Sequence, residues 1–109
     1  MADASDRIHL NVHVTGQVQG VSFRATAHQR AATLGLTGFI RNEPDGSVYA
    51  EVEGPRTAAE AFAGWCRRGP AAAVVRSCEW VEGPLKHLNG FVVYHNDGSI
   101  VREDQPGQG

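Results

Sequence analysis

The feature that most constrains this chain is the way its apolar spacing switches between two residues and about four. Ile8, Leu10, Val12 and Val14 alternate with His9, Asn11 and His13, the period of a half-buried strand. After a glycine-bearing loop, Phe23, Ala27, Ala31 and Leu34 recur at near-helical spacing, and Gly35 is a natural C-terminal cap. Leu36 to Asn42 reads as a second strand. Glu43-Pro44-Asp45-Gly46 supplies a turn, and Val48, Ala50 and Val52 alternate with Tyr49, Glu51 and Glu53 in a third strand. Gly54-Pro55 breaks that strand. Thr57 with Glu60 fits a capping box, and Ala58, Ala61, Phe62, Trp65 and Cys66 stripe a second helix running to about Gly69-Pro70. Val74 to Val81 make a fourth strand with Trp80 packed, Gly83 to Gly90 a loop, and Phe91 to Tyr94 a short last strand.

The order β-α-β-β-α-β with one further strand predicts an α+β chain of ferredoxin-like split βαβ type. An antiparallel sheet of four to five strands then carries two helices on one face. A length of 109 residues allows one domain. It is expected over residues 7–95, between a flexible N-terminus (1–6) and a polar, disordered tail (96–109).

Composition narrows the function classes. Hydrophobic residues at 41% and charged residues at 20% fit an ordinary globular protein. The polar, acidic start from Met1 to Arg7 is neither a secretory signal nor a transit peptide, so the cytoplasm is the expected location. No apolar run has the length of a membrane span, so no membrane partner is expected. A net charge of −2 and a pI of about 6.2 argue against a binder of nucleic acid. Cys66 and Cys78 form no metal or redox motif and read as reduced packing residues. His9, His13, His28, His87 and His95 lack ligand spacing, so no metal is expected.

The loop from Gly16 to Arg24 suits a phosphate. Gly16 and Gly20 let the backbone turn tightly and approach a ligand. Successive amides from Gln19 through Gly20, Val21 and Ser22 to Phe23 can form a concave anion nest. The loop opens into a helix N-terminus, which favours negative charge, and Arg24 adds a planar fork of donors. Glycine loops before helices are common, so the pattern alone supports anion binding and no more.

Topology adds Asn42. In a split βαβ unit the first two strands run parallel with one strand between them, so their C-terminal ends share an edge about 10 Å apart. Asn42 ends the second strand beside the loop that leaves the first. It reads equally as a hairpin residue before a Pro-Asp-Gly turn.

The segment Gly16-Gln17-Val18-Gln19-Gly20-Val21-Ser22-Phe23-Arg24 closely resembles the signature of acylphosphatases. So does Leu34-Gly35-Leu36-Thr37-Gly38-Phe39-Ile40-Arg41-Asn42 followed by Asp45-Gly46-Ser47-Val48. Val52-Glu53-Gly54-Pro55 and Gly90-Phe91 also fit, and the likeness spans roughly residues 7 to 95. Phe39 stands where many members carry Trp or Tyr, a change expected to touch packing.

The resemblance implies hydrolysis of a small acyl phosphate to carboxylate and inorganic phosphate, without cofactor, metal or phosphoenzyme. It places phosphate binding on the backbone of Gln19 to Phe23 with Arg24, and the catalytic asparagine on Asn42. With no strong general base implied, a substrate oxygen is the candidate acceptor for the water's proton. A monomer is the simplest state. Two alternatives stand beside this: a non-catalytic anion-binding regulatory domain, since similar domains occur inside larger carbamoyl-transfer proteins, and a ferredoxin-like RNA module. The absence of an attached domain within 109 residues favours a stand-alone enzyme. One tyrosine among acidic residues on the open face makes a poor base-stacking platform.

Overall fold

The computed structural model describes residues 6–101. Expectations for residues 1–5 and 102–109 lie outside these. Seven elements follow in order: β1 (Arg7–Gln17), α1 (Phe23–Leu34), β2 (Thr37–Asn42), β3 (Val48–Pro55), α2 (Arg56–Cys66), β4 (Val74–Gly83) and β5 (Phe91–Val93). They build one sheet in the order β4-β1-β3-β2-β5. Each βαβ half thus receives a strand of the other half between its own two, as the sequence pattern predicts.

Alternation decides the faces. Ile8, Leu10, Val12 and Val14 of β1 pack with Ile40 of β2 and with Val48, Ala50 and Val52 of β3. Phe23, Ala27 and Ala31 of α1 join that core, as do Ala59, Phe62, Ala63 and Cys66 of α2. Burying this apolar surface is the main force holding the helices to the sheet. Gly35 ends α1 in the left-handed conformation (φ 70), its amide directed to Ala31 and Ala32 carbonyls.

Three features differ from the sequence reading. First, the fifth strand is parallel to β2, making the sheet mixed. The chain leaves β4 at one edge, crosses the face away from the helices and reverses direction, so β5 opposes β4 and runs with β2. Second, α2 has no capping box: Pro55 is the N-cap and Arg56 is already helical, its amide bonded to Asp6 O at 3.0 Å. Thr57 is therefore inside the first turn. The buried stripe of α2 runs through Ala59 and Ala63, while Ala61 is exposed. Third, the chain beyond β5 folds back, with Tyr94 bridged to Ile100 and Val101 N bonded to Val93 O at 2.7 Å.

The crossing segment, residues 84–90, changes the character of the open face. Lys86 N and Leu88 N donate to the two carboxylate oxygens of Glu53 at 2.6 and 2.9 Å. Beneath lies His9, 0% exposed, with one ring nitrogen 2.8 Å from Glu53 and the other 2.7 Å from Glu51. Lys86 Nζ donates to Glu51 at 2.9 Å. A face expected to be open is thus strapped down by charge-assisted hydrogen bonds.

Cys66 and Cys78 are free thiols. Burial raises the pKa of both, which fits packing residues.

Candidate active site

The site expected from sequence lies where β1 and β2 end. β1 continues through Gln17, so the loop proper is residues 18–22. Gly16 therefore sits in the strand, and its role differs from the one the loop pattern assigns it. Its φ is 124, and a Cβ there would lie 2.2 Å from Val74 O of β4, at the point where the pairing register shifts. Close approach of β4 demands this glycine. Gly20, at φ 74 with open space above it, does serve the loop.

Ser22 is the N-cap of α1, held left-handed at φ 62, and it makes no side-chain capping bond. A non-glycine residue in that conformation carries backbone strain, and the first helical amides gain no acceptor from it. Phe23 follows, buried against Trp65 with ring centroids 5.3 Å apart. That contact anchors the loop's end in the core, while Val18 anchors its start. Between two buried anchors the backbone of Gln19, Gly20, Val21 and Ser22 has little freedom.

The Gln19 side chain has a task the sequence did not reveal. Its amide nitrogen donates to Glu43 O and Ser47 O, both at 2.9 Å. The loop is thereby fastened to the turn between β2 and β3, one residue past Asn42.

Arg24 is half-buried in the first turn of α1, and its Nη1 donates to Tyr94 O at 2.5 Å. Asn42 ends β2 and its Nδ2 donates to Asn96 Oδ1 at 2.9 Å. Asn42 Oδ1 is buried with no hydrogen-bond partner. Arg24 and Asn42 are thus each tied to one stretch three residues long, Tyr94 to Asn96. An open cavity lies against it, lined by Phe39, Arg41, Asn42, Tyr94, His95 and Asn96 among others, while Arg24 and residues 18–23 do not line it.

Arg41 is engaged rather than freely solvated. Its Nε lies 2.5 Å from Glu43, and its guanidinium lies over the rings of Tyr49 and Phe39 at 4.9 and 5.6 Å. The hydrogen bond to Glu43 raises its pKa. Tyr49 is pushed up to about 12, first by burial and then by donating to Glu51 at 2.6 Å.

Two matching turns frame the cavity. In the first, Glu43 N donates to Ser47 O at 2.8 Å, and Asp45 Oδ1 accepts from the amide and hydroxyl of Ser47 at 2.9 and 2.6 Å. In the second, His95 N donates to Ser99 O at 2.6 Å, and Asp97 Oδ1 accepts from Ser99 in the same way at 2.9 and 2.7 Å. The repeated Asp-Gly-Ser was the signal available in the sequence for the second turn. Among the described residues no three His, Cys, Asp or Glu side chains gather as a metal site requires. No helix among them is long and apolar enough to cross a membrane.

Comparison with known proteins identifies the family. The model of the acylphosphatase family matches residues 10–93. An acylphosphatase of Anaeromyxobacter dehalogenans is 45% identical over 91 residues, covering 82% of this chain and 97% of the relative. The structure of an acylphosphatase from Coxiella burnetii superposes with a TM-score of 0.79 at 31% identity, covering 82% of this chain and 94% of that one. One from Bacillus subtilis gives 0.78 at 28% identity, with 81% and 99% covered. A shared fold alone would leave the function open, but sequence identity over almost the whole length of such relatives does not. The chain belongs to the acylphosphatase family.

Proposed function

We propose that the chain hydrolyses the carboxyl–phosphate anhydride bond of small acyl phosphates, releasing a carboxylate and inorganic phosphate. Family membership makes it a hydrolase acting on acyl phosphates. In this reading the amides of Gln19, Gly20, Val21, Ser22 and Phe23 receive the phosphoryl oxygens together with the Arg24 guanidinium. Asn42 orients the attacking water in line with the leaving carboxylate.

One observation carries the assignment of roles. Arg24 and Asn42, from different elements, both bond to the short stretch Tyr94 to Asn96, beside a loop that Gln19 ties to the turn after Asn42. The anhydride is already activated, so positioning and charge stabilisation suffice for rate. Asn42 lines the cavity and its Oδ1 is buried, so this reading gives the water to the Nδ2 amide. Asn42 therefore acts as a hydrogen-bond donor to the water oxygen. A phosphoryl oxygen of the substrate takes the water's proton.

The enzyme is read as a cytoplasmic monomer that needs no metal. Release of phosphate from benzoyl phosphate in EDTA tests reaction and metal independence together. Turnover competed by inorganic phosphate is expected. Protection by phosphate against heat without any hydrolysis would instead mark a non-catalytic anion-binding domain.

A further inference from the structure

We propose that Asn96, in the turn after β5, is a positioning residue that sets the carboxamide of Asn42. The inference deepens the proposed role of Asn42 and rests on that reading. Asn42 Nδ2 carries two hydrogens, and one of them goes to Asn96 Oδ1 at 2.9 Å. With Oδ1 buried, this bond fixes the amide plane, and the second N–H is the donor left for a water in the proposed reaction. A carboxamide has a broad, nearly two-fold terminal torsion, so without such an anchor its donor samples several directions.

The anchor is itself held. Asn96 sits in a turn closed by His95 N on Ser99 O at 2.6 Å and Gly98 N on His95 O at 2.9 Å. Asp97 Oδ1 locks Ser99 within it, and Val101 N ties the return to Val93 O at 2.7 Å. Tyr94 N bonds Ile40 O at 3.0 Å, which places this turn directly beside the end of β2. The neighbouring turn after Asn42 has the same hydrogen-bond pattern but carries Pro44 at the place equivalent to Asn96, and a proline side chain offers no acceptor. The second turn thus supplies what the first cannot.

Three proteins test this: the parent, Asn96→Ala and Asn96→Asp. Asn96 is exposed, so both variants are expected to fold with the parent's Tm. The expected result for Asn96→Ala is a kcat lower by about tenfold with the affinity for inorganic phosphate unchanged, the factor one neutral hydrogen bond can supply. Asn96→Asp keeps the acceptor, so kcat returns to within about twofold of the parent, while its added charge raises KM for the anionic substrate. NMR gives a readout independent of turnover. The two side-chain amide protons of Asn42 are expected to move toward free-amide positions in Asn96→Ala and to stay in place in Asn96→Asp. An unchanged kcat in Asn96→Ala, equal losses in both variants, or Asn42 amide signals that ignore both substitutions would each overturn the proposal. If the parent itself fails to hydrolyse benzoyl phosphate, the functional reading falls, and the Asn42 amide signals still decide whether Asn96 holds that side chain.

Discussion

Asn42 offers two polar atoms, and the fold treats them differently: Nδ2 is bonded to Asn96 while Oδ1 is buried without a partner. An unsatisfied buried carbonyl costs about 1–3 kcal/mol, so this residue carries a penalty that a smaller apolar side chain would not. Replacing it separates stability from chemistry. Asn42→Ala is expected to unfold in urea within about 1 kcal/mol of the parent, or to be more stable, because the lost hydrogen bond and the removed penalty offset each other. Its phosphate affinity should persist while turnover falls about 10²–10³-fold. Parental turnover in that variant would remove Asn42 from the reaction. Arg24→Ala should lose at least about 10²-fold in kcat/KM, chiefly through weaker phosphate and substrate binding measured by calorimetry and steady-state kinetics.

At the level of elements, the loop between β1 and α1 is positioned by its neighbours as much as by its own glycines. Val18 and Phe23 hold its ends in the core, and Gln19 fastens its middle to the turn between β2 and β3. Gln19→Ala deletes two hydrogen bonds to main-chain carbonyls and should destabilise the fold by about 1–2 kcal/mol in denaturant titration. The larger effect is expected on catalysis, because the loop proposed to bind phosphate is no longer registered against Asn42. A fall in kcat/KM of about 10- to 100-fold is the expected outcome, and an unaltered value would mean that the loop holds its place without this tie. Ser22 in the left-handed region belongs to the same device: the strain turns the chain into α1 and withholds the usual side-chain cap.

Across the whole molecule, the segment crossing from β4 to β5 covers one sheet face and is held there by Glu51 and Glu53. Burial alone would raise the pKa of Glu53, but the amides of Lys86 and Leu88 and the ring of His9 outweigh it and lower the carboxyl from 4.5 to about 2. A carboxylate with a folded pKa below its unfolded value stabilises the fold above the unfolded pKa, and that contribution is lost as pH falls through the folded one. Urea unfolding should therefore show stability falling between about pH 4.5 and pH 2, by about 3 kcal/mol from this group. Glu53→Gln should flatten the curve in that window. An equally steep curve in the variant would assign acid lability to other groups. His9→Ala leaves two buried carboxylates short of a donor and should cost about 3–5 kcal/mol, measured at neutral pH in the same way.

Much of this protein is legible in short stretches of sequence. Alternation from Ile8 to Val14, helical spacing from Phe23 to Leu34 and the Asp-Gly turn at residues 45–46 depend only on neighbours along the chain, and the elements formed where these signals fall. The glycine loop leading to Arg24, and Asn42 at a strand end, could be read in the same local way. Their partners could not. Gln19 meets Glu43 and Ser47, Arg24 meets Tyr94, and Asn42 meets Asn96, 54 positions away. The last two meetings depend on β5 lying parallel to β2, reached by the chain crossing the sheet over Glu51, Glu53 and His9. The place and direction of an added edge strand are set by long-range pairing and by what covers each face, and no local pattern encodes them. The sequence by itself determined the elements and the glycine loop that opens into α1. The tertiary structure decided which side chains stand around that loop and which atom of Asn42 is buried without a partner.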